Sequence, residues 1–241
     1  MILSDSAQRV LILQNLTPDG PAYLAEWLQA QRIAFEVFDA EAGQTYPAAM
    51  DGYGALALMG GEMSANDPLP SLRQAERLVL QAIAHDRPVI GHCLGGQLMA
   101  RALGARVVDS PAPEIGWQTV QVAASPAARA WLGEAPTQTV YHWHRESFEL
   151  PAGAELLASS AACPNQAFAI GRHLAMQFHV ELDRHKLGAW SASVDPSYLQ
   201  QQRRFATVQA GDAMRVQAVL ALPAQQRLAD RLYRRWLGIP P

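Results

Sequence analysis

A chain of 241 residues is long enough to bury a full core, and 49% apolar with 17% charged residues is the make-up of a globular protein rather than a disordered one. A formal net charge of −3, with no basic run and no interleaving of basic and aromatic residues, leaves no footprint for nucleic acid or an anionic membrane. The two cysteines, Cys93 and Cys163, make no disulfide framework, the start Met1-Ile2-Leu3-Ser4-Asp5-Ser6 lacks the basic region and long apolar core of a leader, and no run nears the ~18 apolar residues of a membrane span, so a cytoplasmic protein with reduced thiols is expected.

In chain order, Arg9 to Leu13 is a continuous apolar run of the kind found in buried parallel strands. A turn-rich loop leads to Pro21 and a helix with Tyr23, Leu24, Trp27 and Leu28 on one face. Ala34 to Phe38 and Gly54 to Met59 read as the next strands, the latter ending at Gly60-Gly61, with Tyr46 to Asp51 as a connector before it. Leu72 to His85 is helical, with Leu72, Ala75, Leu78, Val79 and Ile83 in register, and leads into the strand residues Val89 and Ile90. This alternation predicts an α/β fold: an open, mostly parallel sheet with helices on both faces, whose ligands bind at the carboxyl ends of the strands. The second half adds strands at Gly116–Ala123, Thr137–Trp143, Glu155–Ser159, Ala167–Ile170 and His173–His179, punctuated by Gly153, Pro164-Asn165 and Gly171. From Leu182 to about Leu220 the spacing is helical, and Gln225 to Leu237 is an amphipathic helix with Leu228, Leu232 and Trp236 on one stripe. With no repeat and no linker, residues 1–241 are expected to form a single domain, with a core at about 9–181 and a helical extension at 182–241.

Two clusters carry chemistry. Gly91-His92-Cys93-Leu94-Gly95-Gly96-Gln97 places Cys93 at the apex of a strand–turn–helix, where a strained turn lifts one side chain clear of the sheet. Gly91 and Gly95 let strand and helix approach closely, and a helix starting just after the sulfur offers free N–H groups and a positive dipole end to a thiolate. The second cluster is Gln177-Phe178-His179-Val180-Glu181. On a strand His179 and Glu181 share a face. A cysteine nucleophile needs an imidazole to carry its proton and a carboxylate to orient that imidazole, and Cys93, His179 and Glu181 supply these roles. Gly60-Gly61 and Cys93, both at strand carboxyl ends, are expected across one crevice.

These residues resemble the class I, triad-type glutamine amidotransferases. Gly91 to Gln97 looks like the family's Gly-x-Cys-x-Gly-x-Gln motif, Gln177 to Glu181 resembles Gln-Phe-His-Pro-Glu, and Gly60-Gly61 resembles the oxyanion strand. Glu114-Ile115-Gly116-Trp117, His142-Trp143-His144, Phe148 and Leu150-Pro151 resemble segments of a stand-alone subgroup similar to the amidotransferase domain of GMP synthase. The resemblance implies a flavodoxin-like fold with an added β segment. It also implies Cys93 as the nucleophile forming a γ-glutamyl thioester, His179 as acid and base, and Glu181 as its orienter. The N–H groups of Gly61 and Leu94 would form the oxyanion hole, and Gly60 and Gln97 would help bind substrate. Val180 and Glu62 stand where the family usually has proline, and Glu62 is expected to point away from the oxyanion hole.

The remaining signals are weaker. His142 and His144 have same-face spacing but show no third ligand nearby, so no metal and no cofactor are expected. His92 either tunes Cys93 or points into the helix layer, and Cys163 reads as inert. The Gly91–Gly95 loop lacks the residues of a phosphate cradle. Three readings stay open. The first is a glutaminase or amidotransferase delivering ammonia to an unknown acceptor or a separate synthetase subunit. The second is a γ-glutamyl hydrolase or peptidase using the same three residues, and the third a non-catalytic binding module. A small-molecule substrate is expected, and homo-oligomerisation is left open.

Overall fold

Strands read from continuous apolar runs come together here as the middle of a sheet covered on both faces. The computed structural model describes residues 9–240, and the opening residues on which the no-leader expectation rests lie outside them. Nine strands among the described residues form one sheet: β1 (Arg9–Gln14), β2 (Phe35–Asp39), β3 (Tyr53–Leu58), β4 (Val89–His92), β5 (Val107–Val122), β6 (Thr137–Phe148), β7 (Glu155–Ser159), β8 (Ala167–Ile170) and β9 (His173–Met176). Their order is β2-β1-β3-β4-β9-β8-β7-β5-β6. The pairings from β2 to β9 are parallel, and those from β9 to β6 are antiparallel. The added β segment therefore continues the parallel sheet edge to edge, and the fold is the open, flavodoxin-like α/β arrangement, with seven α-helices among the described residues.

Alternation along each strand divides the core. Leu11, Leu13, Leu56, Leu58 and Val89 face α2 (Pro70–Ala84) and α3 (Leu94–Ala102). Val10, Ile12, Ala55, Ala57 and Ile90 face α1 (Ala22–Ala30), α4 (Pro126–Leu132) and α7 (Gly211–Leu237). No helix of the described residues is long and apolar enough to cross a membrane.

The larger differences from the sequence reading have local reasons. Strand β5 begins at Val107 rather than Gly116, and β6 runs to Phe148 rather than Trp143, because Val107–Asp109 pair with Glu146–Phe148; Pro111 and Pro113, which lack the N–H a ladder needs, only shift the register between Asp109 and Glu114. Strand β9 stops at Met176, so His179 and Glu181 lie in a turn beyond it. Helix α7 begins at Gly211 and runs through Pro223. An interior proline costs about 3 kcal/mol, which is offset by burying Leu222, Leu228, Leu232 and Trp236 at roughly 1.5–3 kcal/mol per large apolar side chain. The helical spacing before it resolves into α5 (Arg184–Ser191) and α6 (Pro196–Arg204), capped by the side chains of Asp183 and Asp195.

Helix α3 sits so close to the sheet that Gly95 and Gly96 of its first turn have no room for side chains. A Cβ on Gly95 would collide with the Leu58 carbonyl, and one on Gly96 would lie 2.7 Å from the Met176 carbonyl oxygen. Gly188 in α5 has nothing within 4 Å of a Cβ position. Gly95→Ala is expected to lower stability by about 2–4 kcal/mol and Gly188→Ala to raise it by up to about 1 kcal/mol. Urea midpoints of the two variants beside wild type check this, and equal effects would show that close approach at Gly95 is not a constraint.

Candidate active site

Cys93 lies between the last residue of β4 and the first of α3, with φ 49° and ψ −111°. A non-glycine residue there is strained by about 1–3 kcal/mol. The turn is held because the Cys93 N–H donates to the Met176 carbonyl at 2.8 Å, and because a Cβ on Gly91 would already sit 2.6 Å from the Gly95 carbonyl. Cys93 is 5% exposed, and its Sγ lies 3.7 Å from the Trp143 carbonyl oxygen.

His179 and Glu181 reach the same place from the turn after β9. Phe178 before His179 and Val180 between the two are fully buried in the core, so the alternation expected of a strand survives in the turn. The His179 N–H donates to the Tyr141 carbonyl at 2.8 Å. Gln225 of α7 closes this contact, donating to the His179 carbonyl at 3.0 Å and accepting from the Tyr141 N–H at 2.7 Å. These bonds fix the turn where the family's usual proline is replaced by Val180. His179 Nδ1 lies 2.7 Å from Glu181 Oε1, and Nε2 carries no full hydrogen bond. The edge of Trp190 packs on the imidazole with ring centroids 4.8 Å apart.

Glu181 is the electrostatic centre. Besides His179, it meets Lys186 Nζ at 3.3 Å through the same Oε1, and His92 Nε2 at 3.9 Å through Oε2. Lys186 Nζ also lies 3.1 Å from Asp19 Oδ1. Burial opposes the Glu181 carboxylate, but the charges of His179 and Lys186 outweigh it and hold the group well below the usual carboxylate range. Burial likewise opposes a charged His179, yet Glu181 and the neighbouring Cys93 push the ring up to about 10. Lys186 stays charged despite its burial because Glu181 and Asp19 flank it. For His92, burial outweighs Glu181 and favours the neutral ring. His92 packs edge-on against Tyr233 of α7 at 6.3 Å, as the reading that points it into the helix layer expects, and it also approaches Glu181.

The Gly60-Gly61 loop forms the facing wall. Asn15 pins it, donating to the carbonyls of Met59 at 3.0 Å and Gly60 at 3.1 Å. A Cβ on Gly60 would lie 3.0 Å from His179 Cε1 and 3.8 Å from Cys93 Cβ. One on Gly61 would lie 2.9 Å from Leu94 Cδ2, so the Gly61 backbone packs on the Leu94 side chain. Gln97 is buried, lines the cleft and donates to the Glu146 carbonyl at 3.1 Å. Glu62 is exposed and lies on the cleft wall.

The cleft over Cys93 and His179 has a volume of about 790 Å³. One side is aromatic: Trp143 packs against Trp190 at 5.6 Å and Tyr198 at 5.3 Å. Trp190 and Tyr198 come from α5 and α6, as do the cleft residues Ala189 and Gln201, so the extension builds one wall.

His144 does acquire partners that its sequence neighbourhood does not show. Its Nε2 is 3.2 Å from Glu114 Oε2, and potential ligand atoms of Glu114, His144 and Cys163 fall within 4.8 Å of one another. Glu114 also accepts from Ser160 at 2.8 Å and Gln166 at 2.5 Å, so the three side chains sit in a buried polar cluster. His142 packs beside it, its ring centroid 5.5 Å from that of His144, and burial pushes its ring down to about 3. Burial raises the Cys163 thiol, which favours its protonated, unreactive form.

Sequence reading missed Asn15, Asp19, Trp190, Lys186 and Gln225. One signal was available: Lys186 is the only lysine in a chain that otherwise uses arginine for its basic side chains.

Residues 24–189 match the model of the family described as glutamine amidotransferase class-I. Glutamine amidotransferase-like protein YfeJ of Salmonella typhimurium is 32% identical over 171 residues, which span 66% of this chain and 71% of that protein. One subunit of the glutamine-hydrolysing GMP synthase of Thermoplasma acidophilum is 33% identical over 143 residues, spanning 58% of this chain and 68% of that one. The crystal structure of a glutamine amidotransferase from Methylobacillus flagellatus superposes with a TM-score of 0.88 at 33% identity, covering 96% of this chain and 94% of that one, so its likeness includes helices beyond the end of the family match. The chain belongs to the class-I glutamine amidotransferase family of enzymes.

Proposed function

We propose that this protein hydrolyses the side-chain amide of glutamine through a thioester on Cys93 and releases ammonia to an acceptor. The observation that carries this reading is the placement of Cys93, at positive φ, against the His179–Glu181 pair and beside the Gly60-Gly61 loop. The Cys93 thiolate attacks the γ-carbonyl carbon, and the carbonyl π electrons move to oxygen. The N–H groups of Gly61 and Leu94 receive that oxyanion; each such donor is commonly worth roughly 3 kcal/mol. Charged His179 gives its Nε2 proton to the leaving nitrogen, the C–N bond breaks and ammonia departs. The neutral ring then takes a proton from water as its oxygen attacks the thioester, releasing glutamate and restoring the thiolate. Glu181 keeps the proton on Nδ1 and supports the charged ring. Gly60 shapes the substrate pocket by leaving it open, and Gln97 lines it.

Residues 182–241 work with the core as one unit, since Gln225 and Lys186 hold the residues named above. The likeness to one subunit of a GMP synthase supports a separate synthetase as the ammonia acceptor's carrier. One observation favours a second reading, hydrolysis of larger γ-glutamyl amides or peptides. A cleft of about 790 Å³ is of a size that ordinarily holds a drug-sized ligand, well beyond one glutamine.

Two outcomes are expected. An electrophilic glutamine analogue should add one adduct to the wild-type mass, blocked by glutamine and absent from Cys93→Ala, whose glutaminase rate should fall by about 10³-fold or more. No adduct on wild type, with turnover only of a γ-glutamyl peptide panel, would move the second reading ahead. Stability should also follow pH. The depressed Glu181 carboxyl contributes stability present above its unfolded value of about 4.3 and lost as pH falls. The raised His179 contributes stability present below about 6.5 and lost as pH rises towards about 10. His179→Gln should flatten the decline of the urea midpoint between pH 7 and 10; an equally steep decline in that variant would remove His179 as its source.

A further inference from the structure

We infer that Lys186, bridged to Asp19, is a positioning residue that sets how much of the Glu181 charge is left to hold the proton on His179. The inference rests on His179 being the proton carrier of the reading above.

The geometry is unusual in sharing one atom. Glu181 Oε1 takes both the His179 ring nitrogen at 2.7 Å and the Lys186 ammonium at 3.3 Å, while Oε2 carries no hydrogen bond. The ammonium and the imidazole therefore draw on the same oxygen. Lys186 is the only lysine of the chain and is 4% exposed, a place where lysine is almost never found unless paired. Three features fix it. Its own N–H is held by the Asp183 cap at 2.7 Å, its Nζ lies 5.1 Å from the centre of the Trp190 ring, and Asp19 holds the ammonium from the other side at 3.1 Å. Asp19 comes from the short 3-10 turn Thr17–Asp19 and borders the cleft. A chain of alternating charge therefore runs from the cleft wall through Asp19, Lys186 and Glu181 to His179.

The groups facing His179 and Glu181 can be named from every side. Cys93 comes from the elbow, His92 from β4, His142 from β6, Lys186 from α5, Asp19 from the 3-10 turn and Tyr233 from α7. Burial favours the neutral form of His92, His142 and Tyr233. Apart from Cys93, the reacting group itself on that reading, the adjustable charge around the pair is thus the Asp19–Lys186 bridge. Removing the ammonium leaves more net negative charge beside the ring, which then grips its proton too tightly to give it to a leaving nitrogen. Removing the Asp19 charge lets the ammonium act on Glu181 in full, and the ring lets go more easily. A part that merely filled space would not give opposite effects from its two ends.

The test is the titration of His179, followed by the NMR signal of its Cε1–H in protein with 13C-labelled histidine and assigned with His179→Gln. Lys186→Met should raise the midpoint by about one pH unit, Asp19→Asn should lower it by about half a unit, and Lys186→Arg, which keeps the charge, should stay near wild type. With glutamine or a γ-glutamyl substrate, Lys186→Met should lose about tenfold in kcat, with KM changed by less than about twofold. Midpoints unchanged from wild type, or moved in one direction by both variants, would overturn the inference. If Lys186→Met does not fold, Asp19→Asn decides alone, and a midpoint at or above the wild-type value sinks the idea. Full activity in His179→Gln would instead remove the reading of His179 as proton carrier. An inactive His179→Gln beside unshifted titrations would remove only the role of Lys186.

Discussion

The site depends on one close approach, that of the first turn of α3 to the sheet. Gly91, Gly95 and Gly96 leave no Cβ between helix and strands, which brings the start of α3 against the Leu58 and Met176 carbonyls. Only at that separation does the chain turn at a single residue, and that residue is Cys93 at φ 49°. The strain of about 1–3 kcal/mol is small beside the burial of Ile90, Leu94 and Leu98 around it, each worth roughly 1.5–3 kcal/mol. The elbow is thus held by the core, and the sulfur is presented in one place without the wandering a surface loop would allow.

The candidate site was legible in the sequence because its residues sit in short contiguous runs. Gly91 to Gln97 and Gln177 to Glu181 each contain both the proposed reactive groups and the residues that shape their backbone, so the contact of His179 with Glu181 followed from spacing alone. It followed even though the segment is a turn and not a strand: Phe178 and Val180 are driven into the core, and that drive imposes alternation whatever the hydrogen bonding. The parallel half of the sheet was legible for a similar reason, since strands buried on both faces are continuous apolar runs. Strand β5 was harder to read. Its prolines signal a break, and it bridges that break because Glu114 and Ile115 on the far side find partners in β6.

What stayed hidden involves residues joined only by folding. Asn15 is an ordinary loop asparagine until Met59 and Gly60 come beside it. Asp19 and Lys186 are 167 positions apart in the chain and look like surface charges until the 3-10 turn and α5 close over them. Gln225 lies on a helix whose visible feature is an apolar stripe, yet its amide ties the backbones of Tyr141 and His179 together. Spacing arguments reach a few residues along one element and say nothing about such contacts.

The extension therefore shapes reactivity and reach at the same time. The floor of the cleft at Cys93 and the wall formed by the Gly60-Gly61 loop are built by the core strands and their loops. One wall is built by α5 and α6, whose Trp190 touches His179 on one side and the Trp143 indole on the other. Any substrate that extends beyond its γ-carbonyl must pass along that aromatic surface. A change in the tilt of α5 would alter the width of the cleft, and it would also move Lys186, which α5 carries four residues before Trp190. On the proposed reading, recognition of what is attached to the amide nitrogen and the charge balance around His179 would thus be mounted on the same two turns of helix, and this wall, more than the floor, would separate a glutamine site from a site for larger γ-glutamyl amides.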